Sequence, residues 1–201
     1  MTITEMTITE AGFARTPNRV RWTRDQCETI RDSGILTGRY ELIDGEILSK
    51  MGQKPAHAHV IRVVLAWLMS VFGEYQVQSQ LPILVSATDN THNEPEPDCA
   101  VLAQPASAYA THHPGPNDLL LVVEVSDTTL VFDQQAKASL YARAGIADYW
   151  IIDIVHRVLH IYREPAPDGY QIVTTYSAEK QVSPLVRPEA FVHVSDLLPP
   201  L

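Results

Sequence analysis

The run Leu119-Leu120-Leu121-Val122-Val123-Glu124-Val125-Ser126 constrains this chain more than any other segment. An apolar stretch of that length, rich in branched side chains, predicts a strand covered on both faces, and so a sheet with layers on either side. Side chains alternate along a strand, so Leu120, Val122, Glu124 and Ser126 are expected to share one face. A carboxylate in such a strand is costly unless it is paired, protonated or coordinated. The plain alternative is a strand end at which Glu124 points into water.

The surrounding chain supplies the layers. Thr23-Arg24-Asp25-Gln26 has the pattern of a capping box, and Gly34 offers a stop, which predicts a helix near 24–33. Asp44-Gly45 between Tyr40–Ile43 and Glu46–Leu48 predicts a tight hairpin. Val60, Val64, Trp67, Leu68 and Val71 recur at helical spacing between Pro55 and Gly73. Tyr75–Val85 reads as extended chain interrupted by Pro82, residues 87–97 as a polar loop, and 98–102 as a short strand. A helix is expected over Gln134–Ala144, a hairpin over Tyr149–Val155 and Val158–Tyr162, and a strand over Tyr170–Tyr176. The proline-rich tail beyond Ser183 is expected to pack irregularly. Strands before, between and after helices predict an α/β or α+β class with a mixed sheet. Residues 1–18 read as a frayed leader containing a duplicated MTITE, and 19–201 as one domain.

A second carboxylate, Asp98, stands at the mouth of its short strand directly after Pro97, which fixes the chain entering it. Two carboxylates on adjacent strands repel unless a divalent cation lies between them, and magnesium takes a few carboxylate oxygens plus water and phosphate. Lys137 sits one turn into the next helix, with Tyr141 four residues on along the same helix face. It is expected to be partly exposed, and Asp133 to be a helix-start residue near the positive end of the dipole. Glu41 and Glu46 bracket the Asp-Gly turn and could face each other across it.

Several functions are disfavoured. A formal net charge of −9 argues against non-specific coating of nucleic acid, which rests on Lys and Arg. Two cysteines, Cys27 and Cys99, build neither a disulfide framework nor a four-cysteine zinc site. The eight histidines fall into no zinc spacing, with His57, opening the long helix, the most plausible exception. No Gly-rich phosphate loop or Gly-x-Ser-x-Gly elbow occurs. No apolar run is read as approaching the roughly 18 residues that span a bilayer, and no export signal is read, so a cytoplasmic protein without a membrane partner is expected.

The segments YELIDGEI (40–47), PAHAHV (55–60), EPD (96–98) and EVSDTTLVFDQQAKASLYARAGIADYWIID (124–153), in that order, resemble the Uma-two family of bacterial endonucleases. That family is a branch of the PD-(D/E)XK restriction endonuclease-like superfamily, and the resemblance covers roughly residues 38–165. It implies a mixed four-stranded core sheet flanked by helices, with an N-terminal helix and hairpin added. It also implies that Asp98, Glu124 and the backbone carbonyl of Val125 coordinate magnesium, for which manganese can substitute. Ser126 stands where the superfamily pattern has lysine; the resemblance implies that Lys137 takes over that role and that Glu41 lies close by. The implied reaction is metal-assisted hydrolysis of DNA phosphodiesters, and two-strand cutting would favour a homodimer. The alternatives are a nuclease fold without turnover that serves as an interaction protein, and a metal-dependent phosphodiesterase for RNA or small substrates.

Overall fold

The computed structural model describes residues 20–50 and 52–200; the leader expected over residues 1–18 lies outside them. Helix α1 (Arg24–Asp32) opens on the expected capping box: Gln26 N–H donates to Thr23 Oγ1 and Thr23 N–H to Gln26 Oε1. Strands β1 (Tyr40–Ile43) and β2 (Glu46–Ser49) form the expected hairpin. Asp44 and Gly45 have φ of 51° and 78°, the two positive values that a tight hairpin turn of right-handed twist requires. A Cβ on Gly45 would also lie 2.6 Å from that of Arg21, so the position admits only glycine. The register pairs Glu41 with Leu48 and Ile43 with Glu46, so the two acids, which could have faced each other, do not; one of them, Glu41, does turn inward and is buried, while Glu46 is exposed.

Helix α2 (Pro55–Phe72) starts with Pro55 in its first turn and ends at Gly73, with φ 90°. By length and composition it is apolar enough to cross a membrane, which corrects the expectation that no segment reaches that length. Here its Val60, Ile61, Val64, Leu68 and Phe72 are buried against the sheet, and Trp67 stacks on Trp150 with centroids 6.0 Å apart. The extended stretch expected over Tyr75–Val85 shrinks to β3 (Val77–Gln78), because Gln80, with φ 54°, and Pro82 break the ladder.

Strands β4 (Cys99–Leu102) and β5 (Leu119–Ser126) follow, then one continuous helical segment: α3 (Leu130–Phe132), a π-helical turn over Asp133–Lys137, and α4 (Ala138–Ala144). It starts at Leu130 rather than at the expected Gln134. The chain continues through β6 (Asp148–Asp153), β7 (Val158–Ala166) and β8 (Gly169–Ser177). The tail, expected to be irregular, pairs β9 (Gln181–Val182) with β10 (Val192–His193).

The main sheet has six strands in the order β3-β4-β5-β6-β7-β8. β5 and β6 are parallel and every other neighbouring pair is antiparallel, so the sheet is mixed, as expected, and wider than the four-stranded core the resemblance implies. α2 covers one face with Cys99, Leu121, Val123, Val125 and Trp150; α4 covers the other with Ala100, Val122, Tyr149 and Ile151. The shared face expected for Leu120, Val122, Glu124 and Ser126 is corrected at one position. The β4–β5 register shifts between Val101 and Leu102, and Leu120 packs with the α2 layer.

Candidate active site

The β4–β5 ladder ends at the Cys99–Val123 pair. Asp98 and Glu124 are the next residues on the two strands, and Asp98 continues the ladder with its side chain: Val125 N–H donates to its Oδ2 at 2.9 Å. On the other edge of β5 the Ser126 carbonyl accepts from Ile154. Successive strand residues turn their backbone groups to opposite edges, so the Val125 carbonyl faces the Asp98 side. Gln80 Nε2 donates to Asp98 Oδ1 at 3.2 Å, and His57 Nε2 lies 3.5 Å from Oδ2.

Glu124 is 3% exposed. Its Oε1 accepts from Lys137 Nζ and from the Tyr141 hydroxyl, both at 2.9 Å, whereas among the described residues Oε2 accepts no hydrogen bond. Lys137 also reaches Glu41, at 3.1 Å from Oε1 and 3.0 Å from Oε2. Glu41 in turn receives Lys50 Nζ at 2.9 Å and the Glu96 backbone N–H at 3.0 Å. Lys137 is 4% exposed, which overturns the expectation of partial exposure. Asp133, Lys137 and Tyr141 stand four residues apart on one side of the helical segment that contains the π turn, and all three are buried. Asp133 is therefore no solvated helix-start residue. It is buried, with Thr129 Oγ1 donating to its Oδ2 at 2.7 Å.

These acids do not titrate alike. Burial opposes ionisation of Glu41, but the Lys137 and Lys50 ammonium groups outweigh it and hold the carboxyl below its ordinary range. Burial likewise opposes ionisation of Asp98, and His57, the Val125 N–H and Lys137 hold it low. Burial pushes Glu124 up to about 8; Lys137 pulls against this, and Asp98, Glu41 and Asp133 add to it. Burial would lower Lys137, yet Glu124, Glu41 and Asp133 together hold its ammonium charged above the ordinary lysine range. Both members of the Lys137–Glu124 pair thus bind protons more tightly than usual: one lysine serves three acids, while at Glu124 burial, joined by three neighbouring acids, outweighs that lysine.

The cluster lines one cleft of about 810 Å³, with Glu41, Lys50, His57, Asp98, Glu124 and Lys137 on its walls. The structure thus brings together Asp98, Glu124, Val125, Lys137 and Glu41, the residues singled out from the sequence. The sequence reading missed Lys50, Gln80 and the buried role of Asp133. The spacing of Asp133, Lys137 and Tyr141 was a usable signal, since three polar-tipped side chains at four-residue intervals trace one stripe on a helix.

Among the described residues no three Asp, Glu, His or Cys side chains converge tightly enough to cage an ion. Two carboxylates and one carbonyl on the same cleft edge form the small oxygen set that suits magnesium, which keeps the rest of its shell for water and phosphate. The donor chemistry fits that ion.

A mixed sheet between helical layers, with two carboxylates at adjoining strand ends and a lysine across them, defines an α/β protein of the restriction endonuclease-like kind. The chain belongs to the Uma2 family, described as "Putative restriction endonuclease", which matches residues 36–195. Among solved structures it is similar to "a putative nuclease belonging to DUF820 from Anabaena variabilis ATCC 29413". The TM-score is 0.63 at 16% identity, covering 87% of this chain and 96% of that one. No curated protein matches.

Proposed function

We propose that this chain is a magnesium-dependent endonuclease that hydrolyses DNA phosphodiester bonds in the cleft between β4, β5 and the π turn. One observation carries the reading: Asp98, Glu124 and Lys137 meet in one cleft, with Glu124 Oε2 accepting no hydrogen bond among the described residues. Asp98, Glu124 and the Val125 carbonyl would hold the ion. Magnesium there supplies Lewis-acid neutralisation of phosphate charge and eases ionisation of water, and manganese can replace it. Lys137 has three N–H donors; those not spent on Glu41 and Glu124 can orient a water or stabilise charge on the phosphate. Glu41 and Tyr141 are positioning residues, the first fixing the lysine and the second fixing Glu124.

The test offers supercoiled plasmid, single-stranded DNA and RNA side by side, with magnesium, with manganese or with chelator. Divalent-dependent DNA cleavage by the wild type, lost in Glu124→Gln, is the expected result. Cleavage of RNA alone would reassign the substrate. Failure to cleave any of the three with either ion would leave a nuclease fold without turnover.

A further inference from the structure

We propose that two copies of this chain join edge to edge through β8, forming one continuous antiparallel sheet across a two-fold axis. The inference goes beyond the nuclease reading and does not depend on it.

The two edges of the main sheet differ. At one, β3 contributes only Val77 and Gln78. At the other, β8 runs nine residues and pairs only with β7. Among the described residues, no backbone group of Tyr170–Tyr176 bonds to any backbone outside that ladder, so every second N–H and C=O along the outer side lacks a backbone partner. Proteins usually blunt such an edge with charge, proline or brevity. The β8 sequence, Gly-Tyr-Gln-Ile-Val-Thr-Thr-Tyr-Ser, has no charged residue and no proline, and is rich in β-branched and aromatic side chains. Ile172 and Val173 are exposed on it, at 43% and 52%. Beside the edge a recess of about 260 Å³ lies between β8 and the helical segment, lined by Gln134, Gln135, Ser139, Tyr170 and Val173. An added strand would find room there for the side chains of one of its faces.

The occupant is a second copy for a reason of charge. Antiparallel self-pairing brings a strand against its own sequence, so any charge near the centre would meet its like across the axis. A neutral strand avoids that penalty, and a two-fold contact uses the same patch on both partners and closes without leaving a new edge.

Size-exclusion chromatography with light scattering on the full chain, over a range of concentrations, tests this. A dimer of twice 22.4 kDa is expected for the wild type. Val173→Lys and, separately, Ile172→Lys should halve the mass without changing the circular dichroism spectrum, whereas Phe191→Lys, at an exposed site elsewhere, should leave the dimer intact. Hydrogen exchange of the β8 amides should be slowed in the dimer and fast in a folded lysine variant. If one lysine variant does not fold, the other variant and the wild-type exchange pattern decide. A wild type that stays monomeric at every concentration, or a dimer that survives in the folded β8 variants, overturns the proposal.

Discussion

Glu124 is held by the fold against its own ionisation, and that gives metal-free stability a definite pH dependence. Its carboxyl rises from an ordinary 4.5 to about 8, so the folded state binds this proton more tightly than the unfolded chain does. The resulting stabilisation is full below 4.5 and disappears as pH climbs through about 8. Glu124→Gln removes the ionisation but keeps an acceptor for Lys137 and Tyr141. In chelator the variant should gain on the wild type as pH rises from about 5 to about 9, by a few kcal/mol in urea unfolding. Glu41 and Asp98, both held low, destabilise wild type and variant alike in acid, so they cancel in this comparison. Added magnesium should raise the melting temperature of the wild type more at the alkaline end, where it has no proton to displace, and should do little for the variant. A pH-independent difference between the two proteins would remove Glu124 as the group that titrates. Lys137→Met is a harsher change, because it leaves Glu41 and Glu124 buried with fewer cations. It should cost about 3 kcal/mol or more besides abolishing cleavage, and should therefore be assayed well below its melting temperature. At this scale Asp98 and Glu124 were legible because their strands were: a carboxylate inside or at the mouth of an apolar run stands out. Lys50 was not, since nothing local in a hairpin end shows that it meets the same buried cluster, and Asp133 gave only its four-residue spacing to Lys137 and Tyr141.

The π turn at Asp133–Lys137 is the element on which the cluster depends. Its first and last residues, Asp133 and Lys137, are both buried, while α4 keeps Leu140, Tyr141 and Ala142 packed on the sheet. Gln135 is exposed and is not among the residues that line the cleft. Deleting it closes the helix to ordinary spacing, so the packing of α4 and the placement of Asp133 cannot both survive. The deletion should lower the melting temperature modestly and reduce cleavage by up to about a hundredfold, the loss that a displacement of about 1 Å at a site can cause. Cleavage at the wild-type rate by this protein would show that the turn does not place the lysine. Much of the element pattern was readable beforehand. α2 announced itself by helical spacing between Pro55 and Gly73, β5 by its apolar run, and the first hairpin by Asp44-Gly45. What escaped had no periodic signal to give. The β9–β10 pair has two residues on each side, too few to alternate visibly. The π insertion keeps a helical appearance in sequence.

At the scale of the whole molecule, the sheet order sets how two copies could share a substrate. β5 and β6 are parallel, β6–β7 and β7–β8 antiparallel, so β8 runs in the same direction as β5. The cleft lies at the C-terminal end of β5, where Glu124 and Val125 stand. Antiparallel joining of two β8 edges reverses the second sheet, which carries the two clefts to opposite ends of the joined sheet. Two-strand cutting was the original reason to expect a dimer, yet this dimer would not set both clefts on the two strands of one duplex site. Each cleft would then act alone, and the first product from supercoiled plasmid should be the open circle. Linear DNA should follow only after a lag, as independent nicks come to lie close together on opposite strands. Because Val173 is not among the residues that line the cleft, Val173→Lys should nick at the wild-type rate per chain while running as a monomer. Gel time courses at several enzyme concentrations check both points. Linear product present from the earliest time, and lost in Val173→Lys, would mean that the clefts work as a pair and that the copies meet in some other arrangement.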